Sequence, residues 1–132
     1  MTKILIAEDD QDIRELIVLS LKFAGYEVIS AADGQQAVDL TVAEKPDLII
    51  LDVRMPRLSG FQALEQIKEK PDFEQTPVVI LSAKGQESEI QAGFERGALQ
   101  YILKPFAPDE LIEKIKQIEA GTPETFVETV SE

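Results

Sequence analysis

No cysteine occurs in the 132-residue chain, which excludes disulfides and thiolate metal sites. Histidine is missing as well. Its absence removes zinc centres of the ordinary type, Ser-His-Asp catalysis and any role as a carrier of phosphohistidine. No apolar run approaches the ~20 residues of a membrane-spanning helix. The chain opens directly on a strand-like run without a signal peptide, so a cytoplasmic location with no membrane insertion is expected. Basic residues are scarce: 13 Lys and Arg stand against 25 Asp and Glu, for a net charge of -12. A surface of that sign repels phosphate backbones, so direct nucleic-acid binding by this chain is not expected.

What is present suits one soluble domain. Hydrophobic residues make up 44% and charged residues 29%, an ordinary globular balance. A chain of this length buries roughly two-thirds of its unfolded surface, enough for one solid core. The expected division is a domain over 1–120 and a flexible acidic tail or linker remnant over 121–132. That last stretch, GTPETFVETVSE, has no helical period and carries Gly, Pro and three glutamates.

Short β-rich runs alternate with amphipathic ones along the chain. Strand candidates are KILIA (3–7), YEVISA (26–31), DLIIL (47–51), PVVIL (77–81) and LQYIL (99–103). Between them, three-four spacing marks helices through Ile13, Leu16, Ile17 and Leu21, through Ala37, Leu40 and Thr41, and through Phe61, Leu64 and Ile67. A shorter helix is expected over 87–94. A last one runs from Pro108 to Glu119, with Pro108 in its first turn and Asp109 and Glu110 complementing the helix dipole. Strands alternating with helices imply right-handed crossovers and a parallel sheet covered on both faces. DLIIL and PVVIL are almost continuously apolar, as central parallel strands are. The predicted fold is α/β, a flavodoxin-like doubly wound five-stranded parallel sheet of order 2-1-3-4-5, with its site where strand order reverses.

In such a sheet the strand ends share one edge, and here those ends carry reactive groups. Glu8-Asp9-Asp10 follows the first strand, Asp52 and Ser82 close the third and fourth, and Lys104-Pro105 follows the fifth. Helix capping by Asp10 or Asp12 needs one acid, not three. Carboxylates held close repel unless a cation joins them, and magnesium, which takes one or two carboxylates plus a phosphate, fits best. Beside a divalent cation and an ammonium, Asp52 stays ionised and is a competent nucleophile toward phosphorus. Ser82 offers a hydroxyl to a phosphoryl oxygen, and Lys104 a point charge that stabilises phosphoryl oxygens during transfer.

Together, ILIAEDD, PDLIILDVRMPRLSG, TPVVILSAKG and YILKPF resemble the receiver domain of two-component response regulators, over about residues 3–119. The resemblance implies specific roles. Asp52 matches the phosphoacceptor. Asp9 matches the direct magnesium ligand (manganese being the alternative ion), with Glu8 as its partner through water and the Arg54 backbone carbonyl completing the set. Ser82 matches the switch hydroxyl, where threonine is commoner, and Lys104 the invariant-type lysine, whose bond to Pro105 is cis in the family. Tyr101 matches the aromatic switch that turns inward when Ser82 moves toward the phosphoryl group. Glu8 stands where aspartate is more common. Arg54 and Lys84 occupy variable flanking positions that tune phosphoryl lifetime.

The implied function is a phosphoacceptor signalling switch. It takes its phosphoryl group from a histidine kinase or a histidine phosphotransfer protein, which docks on Ile13, Arg14, Ile17 and the Pro105-Phe106 loop. It catalyses its own phosphorylation and dephosphorylation without turning over a small molecule. Output is a population shift of the 84–119 face, which then binds a downstream protein or a second copy. No DNA-binding or enzymatic module follows residue 119, so the expectation is a single-domain type, or a piece of a longer regulator. The alternative is a non-phosphorylated pseudo-receiver acting as a protein-interaction module, although no acid or lysine is missing. A haloacid-dehalogenase-like phosphatase needs an acid two positions after its nucleophile, where Arg54 stands. A flavodoxin-type cofactor binder needs a Ser/Thr/Gly-rich loop where three acids stand.

Overall fold

The structure, a computed structural model, describes residues 2–83 and 85–120. Lys84 and the expected tail over 121–132 lie outside the described residues. The chain runs β1 (Lys3–Ala7), α1 (Gln11–Phe23), β2 (Glu27–Ala31), α2 (Gly34–Glu44), β3 (Leu48–Asp52) and α3 (Gly60–Lys68). A 3-10 turn (Pro71–Phe73) follows, then β4 (Val78–Ser82), α4 (Glu87–Glu95), β5 (Gln100–Leu103) and α5 (Pro108–Glu119). All strand pairs are parallel, in the order β2-β1-β3-β4-β5. This is the flavodoxin-like arrangement read from the alternation of runs.

The central strands lie one residue later than their apolar runs. Asp47 precedes β3, where its N–H donates to Lys3 O at 2.7 Å and its carboxylate accepts from Lys3 N at 2.8 Å. Pro77, with no N–H, stands just ahead of β4. Asp52 and Ser82 are therefore the last residues of their strands, which fixes them firmly at the sheet edge. The 3-10 turn was not legible in the sequence, because its Pro-Asp-Phe carries no helical period.

Each strand sends alternate side chains to opposite faces. Ile4, Ile6, Leu48, Ile50, Val79, Leu81 and Ile102 pack against α1 and α5 through Ile17, Leu21, Leu111 and Ile115. Leu5, Ile49, Leu51, Val78, Ile80 and Tyr101 pack against the other layer through Ala37, Val38, Ala63, Leu64, Ile67 and Ile90. Asp10 caps α1, its carboxylate accepting from Ile13 N at 3.1 Å. Ser59 and Gln62 close a reciprocal capping box on α3. α4 is held more lightly. It buries only Ile90 and Gly93, and its N-cap Gln86 gives no side-chain cap. Among the described residues no helix is long and apolar enough to cross a membrane.

Candidate functional site

β1 and β3 are neighbours in the sheet while their following helices go to opposite faces. A cleft of about 260 Å³ opens there, at the carboxyl ends of the strands, lined among others by Glu8, Asp9, Asp52, Arg54, Ser82 and Lys104. Five of these come from the ends of four different strands. Parallel topology alone brings them together, since they span nearly a hundred positions of sequence.

Lys104 organises the charges. Its Nζ lies 2.8 Å from Asp52 Oδ1 and 2.9 Å from Glu8 Oε1. Asp52 and Glu8 are both buried, at 4% and 1% exposure, whereas Asp9 is exposed. One carboxylate oxygen each from Glu8, Asp9 and Asp52 lie within 4.8 Å of one another. Burial pushes the Asp52 carboxyl above the usual aspartate range, and Asp9 adds to the shift; Lys104 and the Arg54 backbone N–H oppose it. Burial raises Glu8 likewise, with Lys104 opposing and Asp52 adding. For Lys104, burial acts to lower the pKa, but Asp52 and Glu8 together outweigh it and raise it. The cluster thus holds three acids against one ammonium, with two of the acids removed from water. Such a set is stabilised by a further hard cation, and an all-oxygen donor set suits magnesium or manganese rather than a softer metal.

The loops around the cluster are fixed by the backbone. The Arg14 guanidinium donates to Glu8 O at 2.7 Å and so turns toward the β1–α1 loop. Gly60 N donates to Val53 O at 2.8 Å, and a Cβ on Gly60 would stand 2.2 Å from Asp52 O. Only glycine lets α3 start this close to the end of β3. Arg57, in the left-handed region at φ 70°, pairs with Asp33 at 3.3 Å and ties this loop to the start of α2. Arg54 itself is exposed at the rim. The Lys104–Pro105 peptide is cis, and Lys104 N donates to Ser82 O at 2.7 Å, which holds β5 to β4 beside the cleft.

Ser82 and Tyr101, singled out in the sequence, carry a finding the sequence did not supply. Ser82 Oγ donates to Glu89 Oε1 at 3.0 Å, and the Tyr101 hydroxyl donates to the same oxygen. Tyr101 is fully buried. The resemblance implies a ring that turns inward as Ser82 moves; here it is already inside, because Glu89 offers its hydroxyl an acceptor there. Burial raises the Tyr101 pKa and Glu89 raises it further, while Ser82 acts the other way. Glu89 was missed because an acid near the start of a helix reads as a dipole partner. Its position one residue before Ile90 and four before Gly93, the buried inner face of α4, was the signal available.

Comparison with known proteins agrees with this fold. The profile described as "Response regulator receiver domain" matches residues 4–116. The phosphate regulon transcriptional regulatory protein PhoB of Pseudomonas aeruginosa is 42% identical over 115 residues, 87% of this chain and 50% of that protein. Chemotaxis protein CheY4 of Vibrio cholerae superimposes with a TM-score of 0.86 at 32% identity, covering 89% of this chain and 98% of that one. The receiver domain of sensor histidine kinase PA1611 from Pseudomonas aeruginosa, solved with a magnesium ion in its active-site cleft, gives a TM-score of 0.80 at 31% identity, covering 89% and 95%. The chain belongs to the response regulator receiver domain family. It spans about half the length of the curated relatives it matches.

Proposed function

We propose that this receiver is an active phosphoacceptor switch, with Asp52 as the acceptor. The observation that carries the reading is the bridge of Lys104 between buried Asp52 and Glu8. An Asp52 oxygen attacks the phosphorus of a phosphohistidine, the N–P bond breaks, and the imidazole leaves with a proton as an acyl phosphate forms. Lys104 exchanges part of its contact with Asp52 for a phosphoryl oxygen, and the Ser82 hydroxyl donates to another. Glu8, Asp9, Asp52 and the Arg54 backbone carbonyl would hold magnesium, with manganese as the alternative. When bound, such an ion neutralises the carboxylates and the phosphoryl oxygens. The magnesium in the cleft of the PA1611 receiver domain supports this assignment by analogy. Arg54, at the rim, and Lys84 shield the acyl phosphate from water and lengthen its life. Autodephosphorylation returns the switch to rest.

The donor, a histidine kinase or phosphotransfer protein, docks beside the cleft. An apolar groove lined by Ile13, Leu16, Ile17, Pro105 and Phe106 opens next to Lys104, and Leu16 is 53% exposed. Ile17 forms the floor of the groove rather than its rim, since it is buried in the core. Output leaves through the 84–119 face to a downstream protein or a second copy, in the cytoplasm. The test is intact mass after incubation with acetyl phosphate, with and without magnesium, for the parent and for Asp52→Ala. The reading expects one phosphoryl adduct that requires magnesium and is lost in the variant. An intact fold with no adduct would favour the pseudo-receiver instead.

A further inference from the structure

We propose that Glu89 is a third member of the switch, a positioning residue that holds Ser82 at rest and that a phosphoryl group must displace. The inference rests on the phosphoacceptor reading and extends it from the cleft to α4.

A serine hydroxyl has a single proton to donate. Here Ser82 lines the cleft beside Asp52, yet its hydroxyl is turned into α4 and β5, reaching Glu89 Oε1 at 3.0 Å and also hydrogen-bonding Tyr101. A donation to a phosphoryl oxygen on Asp52 requires that proton, so Ser82 must leave the Glu89–Tyr101 pair, of which Glu89 is the charged acceptor. Both acceptors are anionic oxygens, and a hydrogen bond to a charged acceptor is the stronger kind. The exchange is therefore a competition between two sites, and Glu89 biases it toward rest.

Glu89 also explains where the signal goes. The same Oε1 accepts from the Tyr101 hydroxyl, so one carboxylate oxygen joins both switch side chains to α4. Tyr101 is the platform under this helix: its ring meets Phe94 edge-on at 6.5 Å and lies within 3.3 Å of where a Gly93 Cβ would stand. At its other end α4 is fixed by Arg96, which pairs with Glu65 at 2.7 Å and stacks over Phe61 at 5.3 Å. A helix with little buried apolar surface, anchored at its C-terminal end, responds chiefly to what happens at its first turns. Withdrawing Ser82 removes one of the two hydroxyls that restrain Glu89. The consequence is a change in α4 and not in the cleft.

The test is a titration of the full chain with magnesium and beryllofluoride, a phosphoryl mimic, comparing the parent with Glu89→Ala and Glu89→Gln. Amide shifts of 87–95 report α4, and a titration with magnesium alone reports the cleft. Removing the competing acceptor is expected to tighten beryllofluoride binding about tenfold in Glu89→Ala. Glu89→Gln keeps an uncharged acceptor and falls between parent and Glu89→Ala. Magnesium affinity stays within about twofold, and the α4 shifts of metal-free Glu89→Ala move toward those of the beryllofluoride-bound parent. A merely structural role would weaken binding, not tighten it. Equal tightening in both variants that disappears at raised salt would reduce Glu89 to a charge effect and overturn the proposal. So would unchanged affinity with unchanged α4 shifts. If the parent itself fails to bind beryllofluoride, the phosphoacceptor reading falls and this inference with it, a result distinct from failure of the variants alone.

Discussion

Replacing Asp52 by Asn should make the metal-free protein more stable, although it removes an ion pair. At an effective dielectric of about 20, the 2.8 Å contact with Lys104 is worth about 6 kcal/mol of attraction. Repulsion between Asp52 and Glu8, at no more than 4.8 Å, costs at least about 3.5 kcal/mol on the same scale. Exposed Asp9 adds a smaller, solvent-screened repulsion. Attraction exceeds this repulsion by only about 2.5 kcal/mol, Asp9 narrows the margin further, and desolvation of buried Asp52, the largest influence on its carboxyl, disfavours the charge and decides the sign. Asn keeps the volume and leaves Lys104 paired with Glu8. The expected gain is about 1–2 kcal/mol, or about 3–8 °C in Tm. The sign with pH follows from the direction of the shift. A carboxyl whose folded pKa is raised favours the fold fully below its unfolded pKa and loses that contribution as pH rises through the folded one. The variant's advantage should therefore be largest at neutral pH and vanish as pH falls into the ordinary carboxylate range. Magnesium at about 100 times its dissociation constant should raise the parent's stability by about 2.7 kcal/mol and the variant's far less. Thermal melts with EDTA or magnesium across pH 4–8 measure all of this. A variant less stable than the parent in EDTA, or equally responsive to magnesium, would refute the reasoning.

Gly60→Ala should cost about 1–3 kcal/mol in urea unfolding and weaken magnesium binding, because its Cβ would meet Asp52 O at 2.2 Å and push the end of β3; stability equal to the parent would show that the loop yields freely. Leu64→Ala, at a fully buried position facing α2 and β3, should lose about 2–5 kcal/mol while leaving the magnesium affinity of the folded fraction intact. Tyr26 donates to Glu119 at 2.8 Å, and burial together with that carboxylate raises its pKa to about 12. Its contribution is complete below the unfolded value near 10 and is lost as pH rises to about 12, so Tyr26→Phe should flatten the alkaline limb of a stability-pH curve; an unchanged limb would assign that loss to other groups.

The topology was legible because five strands with almost uniform apolar runs leave one economical arrangement, and the parallel sheet then assembles Glu8, Asp9, Asp52, Ser82 and Lys104 without further information. What the sequence did not carry were relations between side chains of different elements. Lys104 could be placed at the edge, but its bridging of Glu8 and Asp52 depends on strand register to within an ångström. Gly60 reads as a helix start in sequence, whereas its necessity comes from the Asp52 carbonyl across a loop. The inward Tyr101 required knowledge of its acceptor. Glu89 lies seven residues after Ser82 and twelve before Tyr101, at separations set by how α4 packs rather than by any periodicity.

The central claim, that Asp52 carries the phosphoryl group, is tested most directly by borohydride trapping followed by peptide mass mapping. Borohydride reduces an aspartyl phosphate to homoserine at the position where it formed. After incubation with acetyl phosphate and magnesium, homoserine should appear at residue 52 and at no other acid. Homoserine at Asp9 or elsewhere, or none under conditions that give a phosphoryl adduct by intact mass, would contradict the account.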